Sequence, residues 1–394
     1  MEKRNQIVIT KIENRLFALY LQGDTIIDCV CEPKEDEVSV GDVFVGRIDH
    51  IVKNIRAAFV KVTDTEMAYL PLTPTQMKEL KTNDEILVQV SKAAVKTKQA
   101  VLTTKIELTG QYCVVGFGHG PHGISKKILE DELRRKLKSN LANYQDFSYH
   151  IVLRTSAQEV PWSSVEEEIQ TLAAELDNIK EKSKYRKAPA RLGNKKEFYE
   201  KFIQQYSESE YERILTDECD VYEKLVGYVS NVEQYEDESF SLNSLYGLKK
   251  QLQKALTRCI WLKSGGNIII EPTEALTVID VNTGKAIDGK RAKETTFYKI
   301  NVEAAVEAAR QIRLRNISGI ILIDFIELQD KENLKNLLTI LKNELAKDKI
   351  PCKFVDMTAL GLAEITRMKK NVPLADYIKK VDFSLDKGLT KKND

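Results

Sequence analysis

Asn267-Ile-Ile-Ile-Glu-Pro-Thr-Glu-Ala-Leu-Thr-Val-Ile-Asp280 is a pair of short apolar runs around a turn. Residues 267–271 and 276–280 read as strands, and Pro272-Thr273-Glu274 as their connection. A loop with Gly284 and Gly289 follows. Beyond it, apolar residues at 302, 305, 306, 309 and 312 keep helical spacing, and Gly319-Ile-Ile-Leu-Ile-Asp324 reads as a fully buried strand. A helix over 331–347, a strand over 352–357 and a helix over 362–370 then predict a strand and helix alternation of α/β type.

Outward from that region the chain changes character. Residues 6–10, 15–20 and 25–31 predict an antiparallel meander with a turn at Gln22-Gly23-Asp24. From Gly41, apolar runs over 41–48, 55–62, 67–72, 85–90 and 99–104 predict a five-stranded barrel of OB type. Gly110, Gly116, Gly118, Gly120 and Gly123 then form a glycine-rich run read as flexible. A charged helix over 126–139, a strand over 148–155 and a long helical pattern over 164–180 follow it. Residues 180–196 hold eight Lys or Arg, among them Lys195 and Lys196, against Glu181 alone; residues 208–238 hold eleven acids against Arg213 and Lys224. Opposed blocks of this kind mark either a domain boundary near 195–205 or a solvated face.

Composition bounds the whole. A chain of 394 residues suggests two to three domains. With 60 Lys and Arg against 59 Asp and Glu, the net charge of +1 excludes a global basic field, so any polyanion site is local. Hydrophobic residues at 42% exclude wholesale disorder. Six cysteines without a CxxC pair exclude a disulfide scaffold and leave no zinc site to build. Apolar runs stay far below the ~18 residues of a membrane span, and the first residues lack an apolar signal core, so a cytoplasmic protein is expected.

Three groups of residues could carry chemistry. Asp280 and Asp324 each close a hydrophobic strand, where a carboxylate either caps a loop or binds a cation; Asn282 falls on the same face as Asp280. With no His or Cys cluster competing, the expected ion is of the Mg²⁺ kind, which accepts one or two carboxylates and several waters. In the barrel, Phe59 and Tyr69 suit base stacking, with Arg56, Lys61 and Lys98 as phosphate-binding charges; core packing is the competing reading. Arg154-Thr155, at a strand end, pairs guanidinium donors with a hydroxyl in the manner suited to a terminal phosphate, unless Arg154 sits in a surface salt bridge.

Longer motifs carry a resemblance. Gly266 to Asn282, Glu294-Thr-Thr-Phe297, Asn301 to Ala309 and Ile321-Leu-Ile-Asp-Phe-Ile326 closely resemble the catalytic region of the ribonuclease E/G family. Arg56-Ala-Ala-Phe-Val60, Tyr69-Leu-Pro-Leu72, Ala100-Val-Leu-Thr-Thr104, Gly123-Ile-Ser125 and Leu153-Arg-Thr155 extend the resemblance over about residues 1 to 372. It implies a mixed α+β and α/β multidomain protein. An RNase H-like domain (1–38 and 199–256) is interrupted by an S1-type OB barrel (39–105) and a 5′-sensor region (106–198), and a DNase I-like catalytic domain (257–394) follows. It implies a Mg²⁺-dependent endoribonuclease that cuts single-stranded regions of messenger RNA or of ribosomal and transfer RNA precursors. The products would carry 5′-phosphate and 3′-hydroxyl ends, and a 5′-monophosphate would stimulate cleavage.

Carried over by motif, Asp280 and Asp324 would hold Mg²⁺ with Asn282 in support, Phe59, Tyr69 and Lys98 would grip the strand, and Gly123, Arg154 and Thr155 would read the 5′ end. The CPxC zinc link of relatives has no counterpart here, so any homodimer is expected without it. A basic residue that supports the sensor in relatives corresponds to Lys349, which lacks the bidentate fork of an arginine. The alternative is a non-catalytic S1-type RNA-binding or ribosome-associated protein.

Overall fold

The computed structural model describes residues 4–33, 38–94, 98–118, 120–145, 147–193, 197–227, 229–237, 239–284 and 293–379; Gly289, Lys195 and Lys196 lie outside them. The described residues group into two compact units. One is drawn from Met1–Glu32 with Glu208–Asp394, the other from Pro33–Ser207. The fold is mixed α+β, and none of the described helices is long and apolar enough to cross a membrane.

The chain opens with β1 (Asn5–Ile12), β2 (Arg15–Gln22) and β3 (Thr25–Cys31), the expected antiparallel meander, with Asn5 opposite Gln22 and Phe17 opposite Cys31. Glu13 and Asn14 take positive φ (50° and 62°) in the tight turn between the first two strands.

The second unit follows. Strands β4 (Val43–Val52), β5 (Ala57–Lys61) and β6 (Met67–Pro71), helix α1 (Gln76–Glu79), and strands β7 (Glu85–Lys92) and β8 (Val101–Thr103) form the expected barrel. The strand order is β4-β5-β6-β8-β7, and β7 pairs back onto β4 to close the ring as in an OB fold. Alternate residues fill its interior: Phe44, Ile48, Ala58, Val60, Leu70 and Leu102 are all buried. Each such Ile, Leu or Phe contributes roughly 1.5–3 kcal/mol by leaving water.

A four-stranded sheet comes next, from β9 (Glu107–Thr109), β10 (Cys113–Phe117), β11 (Gly123–Ile124) and, after helix α2 (Asp131–Leu141), β12 (Tyr149–Leu153). Helix α3 (Trp162–Tyr185) covers it through Val165, Ile169, Leu172 and Leu176, and β13 (Ala190–Leu192) returns to pair with β4 before α4 (Phe198–Ile203). One glycine of the run has a packing reason. Gly116 lies within β10 opposite His150, and a Cβ there would run into the imidazole ring, so this glycine allows a close approach of strands.

The first unit then resumes. β14 (Arg213–Thr216) pairs parallel with β1, and β15 (Val232–Gln234), reached through α5 (Cys219–Val226), completes the order β15-β14-β1-β2-β3. Helices α6 (Leu242–Tyr246) and α7 (Leu248–Lys254) bury Leu242, Leu248 and Leu252 against it.

The last sheet holds β16 (Cys259–Trp261), β17 (Asn267–Pro272), β18 (Leu276–Asn282), β19 (Gly319–Asp324), β20 (Cys352–Met357) and β21 (Leu362–Arg367), in the order β16-β17-β18-β19-β21-β20. Helices α8 (Lys293–Leu314) and α9 (Lys331–Ala346) pack on one face, and α10 (Leu374–Lys379) follows. Three expectations change here. Residues 362–367 are a strand, not a helix: Ala363, Ile365 and Arg367 point inward in strict alternation, a period that six residues cannot separate from a helical one by sequence. The α/β alternation fails with it, because among the described strands of this sheet only β18 and β19 pair in parallel. Nor is β19 fully buried: Ile321 and Ile323 face the helices, while Ile320 is 54% exposed on a face that none of the described helices covers. Likewise Val306 on α8 points outward at 41% exposure.

Candidate functional site

One-sided coverage of the last sheet decides where its charges can go. Ile279 and Val281 of β18 pack inward, so Asp280 and Asn282 must stand on the open face. The parallel register sets Ile279 beside Ile323 and therefore Asp280 beside Asp324. Asp324 is exposed and Asp280 half-buried, and neither has an ion-pair partner among the described residues. Asn282 Nδ2 donates to Asp280 Oδ2 at 2.7 Å and fixes that carboxylate's orientation. Two anions one strand apart, roughly 5 Å, repel by about 3 kcal/mol at an effective dielectric near 20. A cation between them removes that repulsion.

The donor set suits a hard ion. No group of three or more His, Cys, Asp or Glu close enough to hold a metal occurs among the described residues, so an ion here would rest on two carboxylates and water, as Mg²⁺ does. Two further carboxylates flank the pair. Glu271, opposite Val278, is held by Arg258; Glu364, opposite Leu322 and diagonal to Asp324, is half-buried with no partner among the described residues.

On the barrel, Ala58, Val60, Ala68 and Leu70 point inward, which turns Phe59 and Tyr69 to the outer face, directly opposite each other. Their rings meet edge to face at 6.1 Å. His50 lies opposite Phe59 on the other side, with its ring stacked at 4.6 Å and an interplanar angle of 15°. The three rings thus form a row across β4, β5 and β6. Arg56, exposed and left-handed at φ 50°, stands three residues before Phe59; Lys98, also exposed, lies two residues before Ala100, whose carbonyl accepts from the Tyr69 N–H at 2.8 Å. Lys61 reaches Asp64 at 3.8 Å.

In the four-stranded sheet, Gly123 pairs with Val152, and Thr155 Oγ1 lies 3.2 Å from Ser125 Oγ. Arg154 adjoins them, yet its Nη1 donates to the carbonyls of Gly110 (2.5 Å), Gln111 (3.2 Å) and Gln204 (2.8 Å) instead of to a carboxylate. Glu168 grips the same turn from α3, accepting the N–H groups of Gln111, Tyr112 and Cys113. Burial pulls the Arg154 guanidinium below its usual value, with the Glu168 charge opposing the shift. Lys349, in the other unit, sits on the Glu210 carboxylate with 2.6 Å to one oxygen.

A model of the "Ribonuclease E/G family" matches residues 107–370. The chain belongs to that family. By this membership it is an enzyme, an endoribonuclease of the ribonuclease E/G kind. It is 29% identical to ribonuclease G of Escherichia coli K12 over 388 residues, covering 92% of this chain and 78% of that protein. Ribonuclease E of Synechocystis is 31% identical over 388 residues, covering 93% of this chain and 57% of that longer protein. Ribonuclease G of Haemophilus influenzae is 29% identical over 365 residues, with 84% and 72% covered.

In this ribonuclease E/G chain the structure brings Asp280, Asn282 and Asp324 together on one face, Phe59 and Tyr69 on another, and Gly123, Arg154 and Thr155 around a third point. Two neighbours of these groups escaped the sequence. His50 reaches Phe59 only because a bulge between Ile48 and His50 shifts the register of β4, and nothing in the sequence marks the bulge. Glu364 falls in a segment whose sequence reads as a helix, and a helix there would not set it on a sheet face with Asp324. Six residues fit either period, so no signal within 362–367 could have found it.

Proposed function

We propose that this ribonuclease E/G chain hydrolyses phosphodiesters in single-stranded RNA at Asp280 and Asp324 with Mg²⁺. The observation that carries the reading is the register pairing of two carboxylates that have no ion-pair partner among the described residues, on one face of the sheet. Mg²⁺ held there would polarise the phosphate and acidify a water. Asn282, donating to Asp280 Oδ2, would hold that carboxylate in place for the ion. Water oxygen bonds to phosphorus, the 3′ oxygen leaves and takes up a proton, and the products carry 5′-phosphate and 3′-hydroxyl ends. Half-buried Glu364, diagonal to Asp324, would be a candidate to orient the water or accept its proton.

The outer row of His50, Phe59 and Tyr69, with Arg56 and Lys98, supports single-strand binding by stacking and phosphate contact. Gly123, Thr155 and the free part of the Arg154 guanidinium support recognition of a 5′-monophosphate, in processing or decay of messenger RNA or of ribosomal and transfer RNA precursors. At the level of fold, the five-stranded sheet that flanks the barrel in sequence corresponds on this reading to an RNase H-like domain, the barrel to an S1-type module, and the last sheet to a DNase I-like domain.

Labelled single-stranded RNA incubated with Mg²⁺, with and without chelator, tests the reading. Cleavage that stops on chelation supports it. Binding without cleavage in Mg²⁺ would leave only the non-catalytic RNA-binding alternative.

A further inference from the structure

The longest described helix of the second unit ends in a cluster of cations, most of which have no ion-pair partner among the described residues. Lys180, Lys182, Lys184, Arg186 and Lys187, around the end of α3, are all exposed, and Glu181 is the one acid among them. That acid takes Lys184 at 2.6 Å. The other four have no ion pair among the described residues. A helix C-terminus carries roughly half a negative charge, so the macrodipole accounts for about one cation and leaves the rest unbalanced. Tyr185, 82% exposed, stands in the middle of them.

The barrel lies alongside. Past the helix, Ala190 and Leu192 pair with Val45 and Val43 of β4, and Arg47 Nη2 donates to the Ala188 carbonyl at 3.0 Å. Arg47 and His50 share β4, three residues or roughly 10 Å apart. The cationic helix end therefore adjoins the strand that carries one member of the aromatic row.

We propose that Lys180, Lys182, Arg186 and Lys187, with Tyr185, form a second contact for RNA beyond the barrel, phosphates meeting the cations and a base meeting the tyrosine ring. The inference rests on reading the barrel row as a single-strand platform. RNA fits better than an acidic protein, because a protein interface needs an apolar centre and this patch offers one aromatic ring among long, mobile cationic side chains. Its consequence is length dependence: short strands fill the barrel, longer ones also engage the helix end.

The test uses the full chain in chelator, so that RNA is bound and not cut, with fluorescent single strands of about 6 and about 20 nucleotides, in line with OB-fold site sizes. A variant combining Lys182→Gln, Tyr185→Ala, Arg186→Gln and Lys187→Gln should bind the 20-mer about tenfold more weakly at low salt. Its plot of log affinity against log salt should be shallower by roughly 2, at about 0.7 per lost phosphate contact on a single strand. The 6-mer should bind as before, and circular dichroism should be unchanged because every altered side chain is exposed. Phe59→Ala should weaken both strands. Equal 20-mer affinity and slope in variant and parent overturns the second contact, as does an equal loss on both lengths. Loss of anionic-vesicle or acidic-protein binding with RNA binding intact overturns it too. Failure of the barrel reading looks different: Phe59→Ala then leaves the 6-mer untouched while the helix-end variant still weakens the 20-mer.

Discussion

At the scale of single residues, Asp280 and Asp324 stand side by side in register with no ion-pair partner among the described residues. Asp280→Asn and Asp324→Asn keep the shape and remove the charge, so each should slow cleavage by at least ~10²-fold while RNA affinity in chelator stays within about twofold. Turnover near that of the parent in both variants would falsify the metal site. Arg154 calls for a two-part outcome. Its Nη1 ties the turn at Gly110 and Gln111 to Gln204, so Arg154→Ala removes three carbonyl partners as well as a phosphate donor. The melting temperature should fall along with the preference for 5′-monophosphorylated over 5′-hydroxyl RNA, the former by an amount set by about 1–3 kcal/mol per orphaned buried group. Thr155→Val leaves the turn intact and should lower the preference alone; an unchanged rate ratio in both variants counts against the sensor. The sequence made Asp280, Asp324 and Arg154 legible as charges after apolar strands. It could not show what Arg154 donates to, because Gly110 and Gln204 meet it only through tertiary packing.

At the scale of elements, register governs what the sequence hides. The barrel strands were legible because each alternates inward Val, Ala or Leu with outward polar or aromatic residues, and five such runs admit few closures. The position of His50 depended on a bulge, and that of Glu364 on six residues compatible with either period. If the three rings act as one surface, His50→Ala and Tyr69→Ala should each weaken binding of a short single strand by about 1–3 kcal/mol. Unchanged affinity with a lowered melting temperature would show that the rings only pack on one another.

Helix α8 carries a second element-scale expectation. Burial raises the Glu307 carboxyl, but the two-pronged contact from Arg310 and a hydrogen bond from Gln311 outweigh it and hold the group below its usual value. Arg310 also donates to the Ile26 carbonyl of β3, so the pair fastens α8 to the first sheet. A carboxyl lowered by folding stabilises the native state above its unfolded value, near 4.3, and loses that contribution as pH falls through the folded value. The melting temperature of Glu307→Gln should lie below the parent's at pH 7, and the gap should close below about pH 4; a gap independent of pH would rule this account out.

At the scale of the whole molecule, the two units divide the proposed labour as they divide the cores. The barrel and four-stranded-sheet cores draw only on the unit from Pro33–Ser207, and the other two cores only on its counterpart. Residues 33–207 expressed alone should therefore melt cooperatively and bind short single strands without cutting them, as calorimetry and a cleavage assay with Mg²⁺ can check. Non-cooperative melting would mean that the unit needs the rest of the chain. The parallel pairing of β1 with β14 has a further meaning for a chain emerging from the ribosome. Asn5 is made some 200 residues before Arg213, which at about 5–20 residues per second is a wait of roughly 10–40 s. Throughout that interval the N-terminal meander is a nascent sheet with its β1 edge unpaired, a template for stray strands, while the barrel behind it is synthesised and can already close. Synthesis order thus leaves the first sheet to be finished late, with β1 open to a chaperone's cover until β14 arrives.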